Sequence, residues 1–144
     1  MKKNRILRQT AAFFGRVSIA ISSALSQQAP KDLIDNATAK KIDLWIKAKG
    51  WAEDLSQEEV ARMMKLSSEK LGHYFRSRTG MSFLRWRRKL RIEEASRLLL
   101  EDTTMPTALV GEAVGISDKS NFRRQFKEIT GYTPAEWRRL EHKL

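Results

Sequence analysis

Two short clusters of side chains able to read a nucleic-acid groove stand 51 residues apart, from Glu69 to Ser120 and from His73 to Arg124. The first holds Glu69 and His73. The second holds Ser120 and Arg124, flanked by Lys119 and Arg123. An arginine can make two parallel hydrogen bonds to the O6 and N7 of guanine, a serine hydroxyl can donate or accept, and a histidine offers one donor to a base or a phosphate. Seven further cations, Arg76, Arg78, Arg87, Arg88, Lys127, Arg138 and Arg139, come later in each cluster, where charge suits phosphate oxygens. Solvated helix faces on a basic protein would explain either cluster alone, but not the duplication.

The elements that must position these side chains follow from periodicity and capping signals. Leu71, Phe75, Thr79, Gly80, Trp86, Arg87 and Arg88 fall at the same offset on Phe122, Phe126, Thr130, Gly131, Trp137, Arg138 and Arg139, which is an internal repeat. Two copies are too few for a stacked solenoid. Between them, Ser82 to Leu100 contains no Gly or Pro, and Phe83, Trp86, Leu90, Ile92, Ala95, Leu98 and Leu99 recur at helical spacing. At about 1.5 Å per residue this predicts a connecting helix of roughly 28 Å, comparable to the ~34 Å pitch of DNA.

Upstream, Ala37 to Lys49 reads as a helix with Ile42, Trp45 and Ile46 on its core stripe and Gly50 as its stop. Ser56 and Glu59 form a capping box for a helix from Gln57 to Met64, with Val60, Ala61 and Met64 inward. Ser67 caps Ser68 to Ser77, and Thr79-Gly80 ends it. Downstream, a helix from Pro106 to Val114 ends at Gly115, Ser117 caps Asp118 to Ile129, and Thr133 with Glu136 boxes a last basic helix. Nothing from residue 41 onward reads as strand.

A small residue (Ala61, Gly111) six positions before each capping serine lets two helices cross closely, the pattern of a helix-turn-helix. At 100° per residue, burying Leu71, Tyr74 and Phe75 turns Glu69, His73 and Arg76 outward; burying Phe122, Phe126 and Ile129 does the same for Ser120, Arg124 and Lys127.

Composition agrees and excludes alternatives. With 144 residues, 28 Lys and Arg against 17 Asp and Glu, the chain carries a net charge of +11, which favours a polyanionic partner. The absence of cysteine removes disulfides, thiolate zinc sites and thiol chemistry, and no cofactor is expected. Enzymatic function finds no support: His73 and His142 are the only imidazoles, and no Gly-rich phosphate loop or regularly spaced acid pair occurs. The first 30 residues, basic then apolar then small and polar, imitate a secretory signal. Arg16 breaks the apolar run, so residues 1–36 are read instead as an extension and linker, disordered in part.

Leu66-Ser67, Phe75, Thr79-Gly80-Met81-Ser82-Phe83, Leu90 to Ala95, Leu98-Leu99, Val114 to Asp118, Asn121-Phe122, Phe126-Lys127 and Gly131-Tyr132-Thr133-Pro134 resemble the DNA-binding domain of AraC/XylS-type bacterial transcription regulators. The resemblance covers about residues 41 to 140. It implies an all-α, homeodomain-like fold of seven helices, the middle one joining two helix-turn-helix modules, and control of transcription by promoter binding. It departs where Lys65 replaces a turn glycine, Gly111 an alanine and Ile116 a phenylalanine, while Glu69 and Gly72 suit a groove poorly. The roughly 40 residues ahead of it are too few for the ligand-sensing and dimerisation domain common in the family.

The sequence therefore predicts residues 1–36 as extension and 37–144 as the DNA-binding domain, with modules at about 56–80 and 105–131, a linking helix at 82–100 and a last helix at 134–143. Its expected partners are double-stranded promoter DNA, contacted in adjacent major grooves by a monomer, and RNA polymerase. No small-molecule effector site is evident, and the expected location is cytoplasmic. The competing reading is a membrane-surface helical interaction protein, lying on anionic lipid through its basic N-terminal segment.

Overall fold

The computed structural model of the chain describes residues 34–142, so the sequence readings for residues 1–33 lie outside the described residues. The described residues are helical, without strand: α1 (Asn36–Lys47), a 3₁₀ turn (Gly50–Ala52), α2 (Gln57–Met63), α3 (Ser68–Thr79), α4 (Phe83–Glu101), α5 (Thr107–Ala113), α6 (Lys119–Thr130) and α7 (Pro134–His142). They divide into two compact units, Ile34 to Arg87 and Arg88 onward, with the division inside α4.

In the first unit, α1 starts where the Asp35 carboxylate accepts from the Thr38 N–H at 2.7 Å. Ile42 and Trp45 are buried, and Trp45 packs against Phe83 and Trp86 with ring centroids 6.0 and 6.3 Å away. The expected role of Gly50 changes here. The helix ends at Lys47, Lys49 takes the left-handed backbone at φ 58°, and a Cβ on Gly50 would stand 2.1 Å from the Trp45 ring nitrogen. Gly50 is therefore needed for close approach rather than for a positive φ. Val60, Ala61, Leu71, Tyr74 and Phe75 complete this core. Full burial of side chains such as Phe75, Phe83 and Trp86 contributes about 1.5–3 kcal/mol each relative to exposure.

The second unit packs Ile92, Ala95 and Leu99 of α4, three and four residues apart on one stripe, against Val110, Val114, Ile116, Phe122, Phe126 and Trp137. Phe126 meets Trp137 edge to face at 5.8 Å. The local signals that start and stop the helices are realised as bonds. Ser56 and Glu59 exchange hydrogen bonds at 3.2 and 2.7 Å, and so do Thr133 and Glu136. Gly80 (φ 71°) and Gly131 (φ 83°) end α3 and α6 in equivalent left-handed turns.

Candidate nucleic-acid interface

Each unit contains two helices crossing at a tight turn. In the first, α2 and α3 meet where Ala61 is buried, the Leu66 N–H donates to the Ala61 carbonyl at 2.8 Å, and Lys65 adopts φ 56°. The Gln57 amide bridges the crossing by donating to the Ser68 carbonyl at 2.9 Å. In the second, the Ile116 N–H donates to the Gly111 carbonyl at 2.8 Å and Gly115 adopts φ 85°. The crossing is tighter there, since a Cβ on Gly111 would lie 2.8 Å from the Ile116 carbonyl oxygen and 2.9 Å from the Phe122 ring.

The two turns differ by one residue. Ser67 caps α3, its hydroxyl accepting from the Lys70 N–H at 3.1 Å. The expectation that Ser117 caps its counterpart is corrected: Asp118 is the cap, its carboxylate accepting from the Asn121 N–H at 2.6 Å. One extra residue separates the left-handed position from the cap in the second turn. That slip reconciles a 50-residue offset at Lys65 and Gly115 with the 51-residue offset of the helices that follow.

All six residues expected to face bases are solvent-exposed: Glu69 and His73 on α3, and Lys119, Ser120, Arg123 and Arg124 on α6. Gly72, read from the sequence as a poor groove residue, is buried, and its missing Cβ leaves room for the Gln57 amide, 3.2 Å from where that atom would stand. Lys119 and Arg123 converge with Arg139 on one cleft of about 290 Å³, lined also by Thr107, Phe122 and Thr133. Arg124 lies along its own helix, donating to the Asn121 side chain at 2.7 Å and to Glu128 at 3.2 Å.

The seven expected phosphate contacts separate into classes that charge alone does not reveal. Arg76, Lys127 and Arg139 are exposed. Arg78 is half-buried, its guanidinium 5.5 Å from the centre of the Tyr74 ring, and Arg88 stands 3.3 Å from the Glu128 carboxylate. Arg87 and Arg138 stand apart from the other five, because their guanidinium groups bond to backbone carbonyls within the fold. Arg87 donates through Nη1 to the Leu55 carbonyl and stacks 5.1 Å from the Phe83 ring, and burial holds it below the usual arginine pKa. Arg138 donates to the Leu99 carbonyl at 3.2 Å and to the Asp102 carbonyl at 3.1 Å. The repeat duplicates an internal tie here: in each unit an arginine after the buried tryptophan holds chain that precedes the first helix of the module. Only the equivalence of the two arginines, each following Trp86 or Trp137, hinted at this.

Residues 60–140, more than half of the chain, match the family model described as a helix-turn-helix domain. The chain belongs to the AraC-type helix-turn-helix family. Over 79 residues, 55% of its length, it is 47% identical to the arabinose operon regulatory proteins of Salmonella typhimurium and Escherichia coli. That stretch spans 28% and 27% of those two proteins, so the chain accounts for about a quarter of their length. Among solved structures, this family member is similar to the C-terminal domain of AraT, a response regulator from Geobacillus stearothermophilus, at 27% identity and a TM-score of 0.65, covering 76% of this chain and 88% of that one. The C-terminal domain of the response regulator yesN from Fusobacterium nucleatum gives 26% identity and a TM-score of 0.63, covering 69% and 97%. The membrane-surface reading finds no support in these comparisons, and no helix among the described residues is long and apolar enough to cross a bilayer.

Proposed function

We propose that the chain is a sequence-specific regulator of bacterial transcription, acting in the cytoplasm as a monomer that lays α3 and α6 in neighbouring major grooves of promoter DNA. The observation that carries this reading is the outward face of α6, where Lys119, Ser120, Arg123 and Arg124 stand exposed on the second helix of a helix-turn-helix. Arg124 reads guanine and Ser120 an adjacent edge. Lys119 and Arg123, whose charges share a cleft with Arg139, sit at the boundary between groove and backbone, where that cleft admits a phosphate. On α3, Glu69 suits only a cytosine amino group and His73 supplies one donor, so the second module discriminates more sharply. Arg76, Arg78, Lys127 and Arg139 supply the salt-dependent backbone term, while Arg88 is paired with Glu128.

Selection from a random duplex library with the whole chain, followed by footprinting, tests the proposal. A single enriched site protected over about 20 base pairs is expected, since one major groove recurs per helical turn of about 10 base pairs. No enrichment over random DNA would overturn the reading, and a footprint of about 10 base pairs would overturn the two-groove form of it.

A further inference from the structure

Glu128 lies one turn beyond Arg124 on the exposed side of α6, and it is bound from two directions. One of its carboxylate oxygens accepts from Arg124 Nη1 at 3.2 Å, and the other lies 3.3 Å from Arg88 Nη1. Arg124 is also gripped from the other end, donating through Nη2 to Asn121 Oδ1 at 2.7 Å, an atom that accepts from the Gln125 amide as well at 3.0 Å. Arg88, Glu128, Arg124, Asn121 and Gln125 thus form one connected polar network beside the groove-facing residues. Isolated surface ion pairs contribute little, but a network fixes geometry.

An acid at this position works against DNA affinity, because its charge repels phosphates and occupies two cations that would otherwise attract them. We propose that Glu128 is a specificity-determining residue: by holding Arg124 and Arg88, it makes any loose phosphate contact break an ion pair, so that Arg124 leaves only for an acceptor that takes two bonds at once. Guanine, with O6 and N7 side by side, is the base edge of the major groove that offers this, whereas adenine and thymine each present a single acceptor and cytosine a donor. A phosphate can also take two bonds, but only by breaking the same ion pair and with no base preference. Asn121 strengthens the effect by keeping the guanidinium aligned through one of its two terminal nitrogens. Affinity for random DNA falls, and the difference between the right base and the wrong one widens.

The inference rests on the DNA-binding reading, and the experiment separates the two. The whole chain and its E128Q variant are titrated against the library-selected duplex, against that duplex with the guanine pair beneath Arg124 replaced, and against random duplex, at several salt concentrations. E128Q should bind random DNA more tightly, with its salt slope steeper by about 1 as one more phosphate is engaged. The ratio of affinities for the guanine site and its replacement should fall about 3- to 10-fold, and further in E128A, which also removes the acceptor. The ratio decides: if it stays the same or rises in both variants, the proposal is overturned, including the case where all duplexes tighten equally and Glu128 contributes charge alone. A wild-type chain that enriches no duplex overturns both readings, and one that selects while the variants keep its ratio overturns this one alone. Far-UV circular dichroism at assay temperature confirms that the exposed substitutions leave the chain folded.

Discussion

Replacing Gly111 by alanine tests the tightest contact between the two helices of the second module. A Cβ there would press on the Ile116 carbonyl oxygen at 2.8 Å and on two carbons of the Phe122 ring at 2.9 Å, where ordinary contacts begin near 3.4 Å. Neither neighbour yields freely. The Ile116 N–H is bound to the Gly111 carbonyl at 2.8 Å, which fixes the turn, and Phe122 is buried against Phe126 at 5.8 Å. Overpacking of this kind costs typically 1–3 kcal/mol, while exchanging a helical glycine for alanine recovers about 1 kcal/mol. Because backbone and a buried ring are the groups pressed, the upper part of that range, about 2–3 kcal/mol, applies, and the net expectation is a destabilisation of about 1–2 kcal/mol where propensity alone predicts a gain. For a unit of this size that lowers Tm by roughly 5–15 °C. Urea and thermal unfolding followed by circular dichroism measure it. The mirror substitution Ala61→Gly, at the equivalent place in the first module, should also destabilise by about 1 kcal/mol, through propensity and lost packing. A Gly111→Ala variant as stable as the parent, or more so, would refute the claim that glycine is required by close approach.

Arg87→Lys and Arg138→Lys should each destabilise the fold by about 1–2 kcal/mol, because a lysine cannot reproduce the carbonyl ties, yet leave the salt slope of DNA binding unchanged; a shallower slope at unchanged stability would return these arginines to the phosphates. Lys65→Gly should stabilise by about 0.5–1 kcal/mol in urea titrations, since φ 56° strains a residue with a Cβ; any loss would count against the left-handed turn. Glu59 and Glu136, held below their ordinary 4.5 by the N–H groups of Ser56 and Thr133, and Asp102, held below 3.8 by Thr104, give a pH dependence of definite sign. The unfolded chain binds these protons first, so Tm should be level above about pH 5 and decline as pH falls through 4 and below; a level Tm down to pH 3 would show that these caps contribute nothing. On a panel of single-base variants of the selected site, Arg124→Ala should erase about 1–3 kcal/mol of preference at one base pair, and His73→Ala distinctly less; equal losses would remove the asymmetry between modules.

The sequence by itself determined the helices and the repeat, because their signals are local. A serine or threonine and a glutamate three residues apart, as at Ser56 and Glu59 or Thr133 and Glu136, satisfy backbone donors within one turn, whatever the rest of the chain does. The 3.6-residue period likewise separated Leu71 and Phe75 from Glu69 and His73, and Phe122 and Phe126 from Ser120 and Arg124. Only the tertiary structure decided which cations remain at the surface. Arg87 finds its carbonyl 32 residues away and Arg138 finds its two at 39 and 36, distances over which no spacing rule operates. A guanidinium also hides easily among surface charges, since its long stem can run along apolar surface while its donors turn either outward or inward. The same limit applies to Gly50 and Gly72, whose meaning depends on Trp45 and Gln57 arriving beside them, and to Glu128, whose second partner comes from another helix. The shift of the α6 cap from Ser117 to Asp118 belongs here too: both can cap a helix, and only the path of the turn from Gly115, fixed by packing of Ile116 into the core, selects between them.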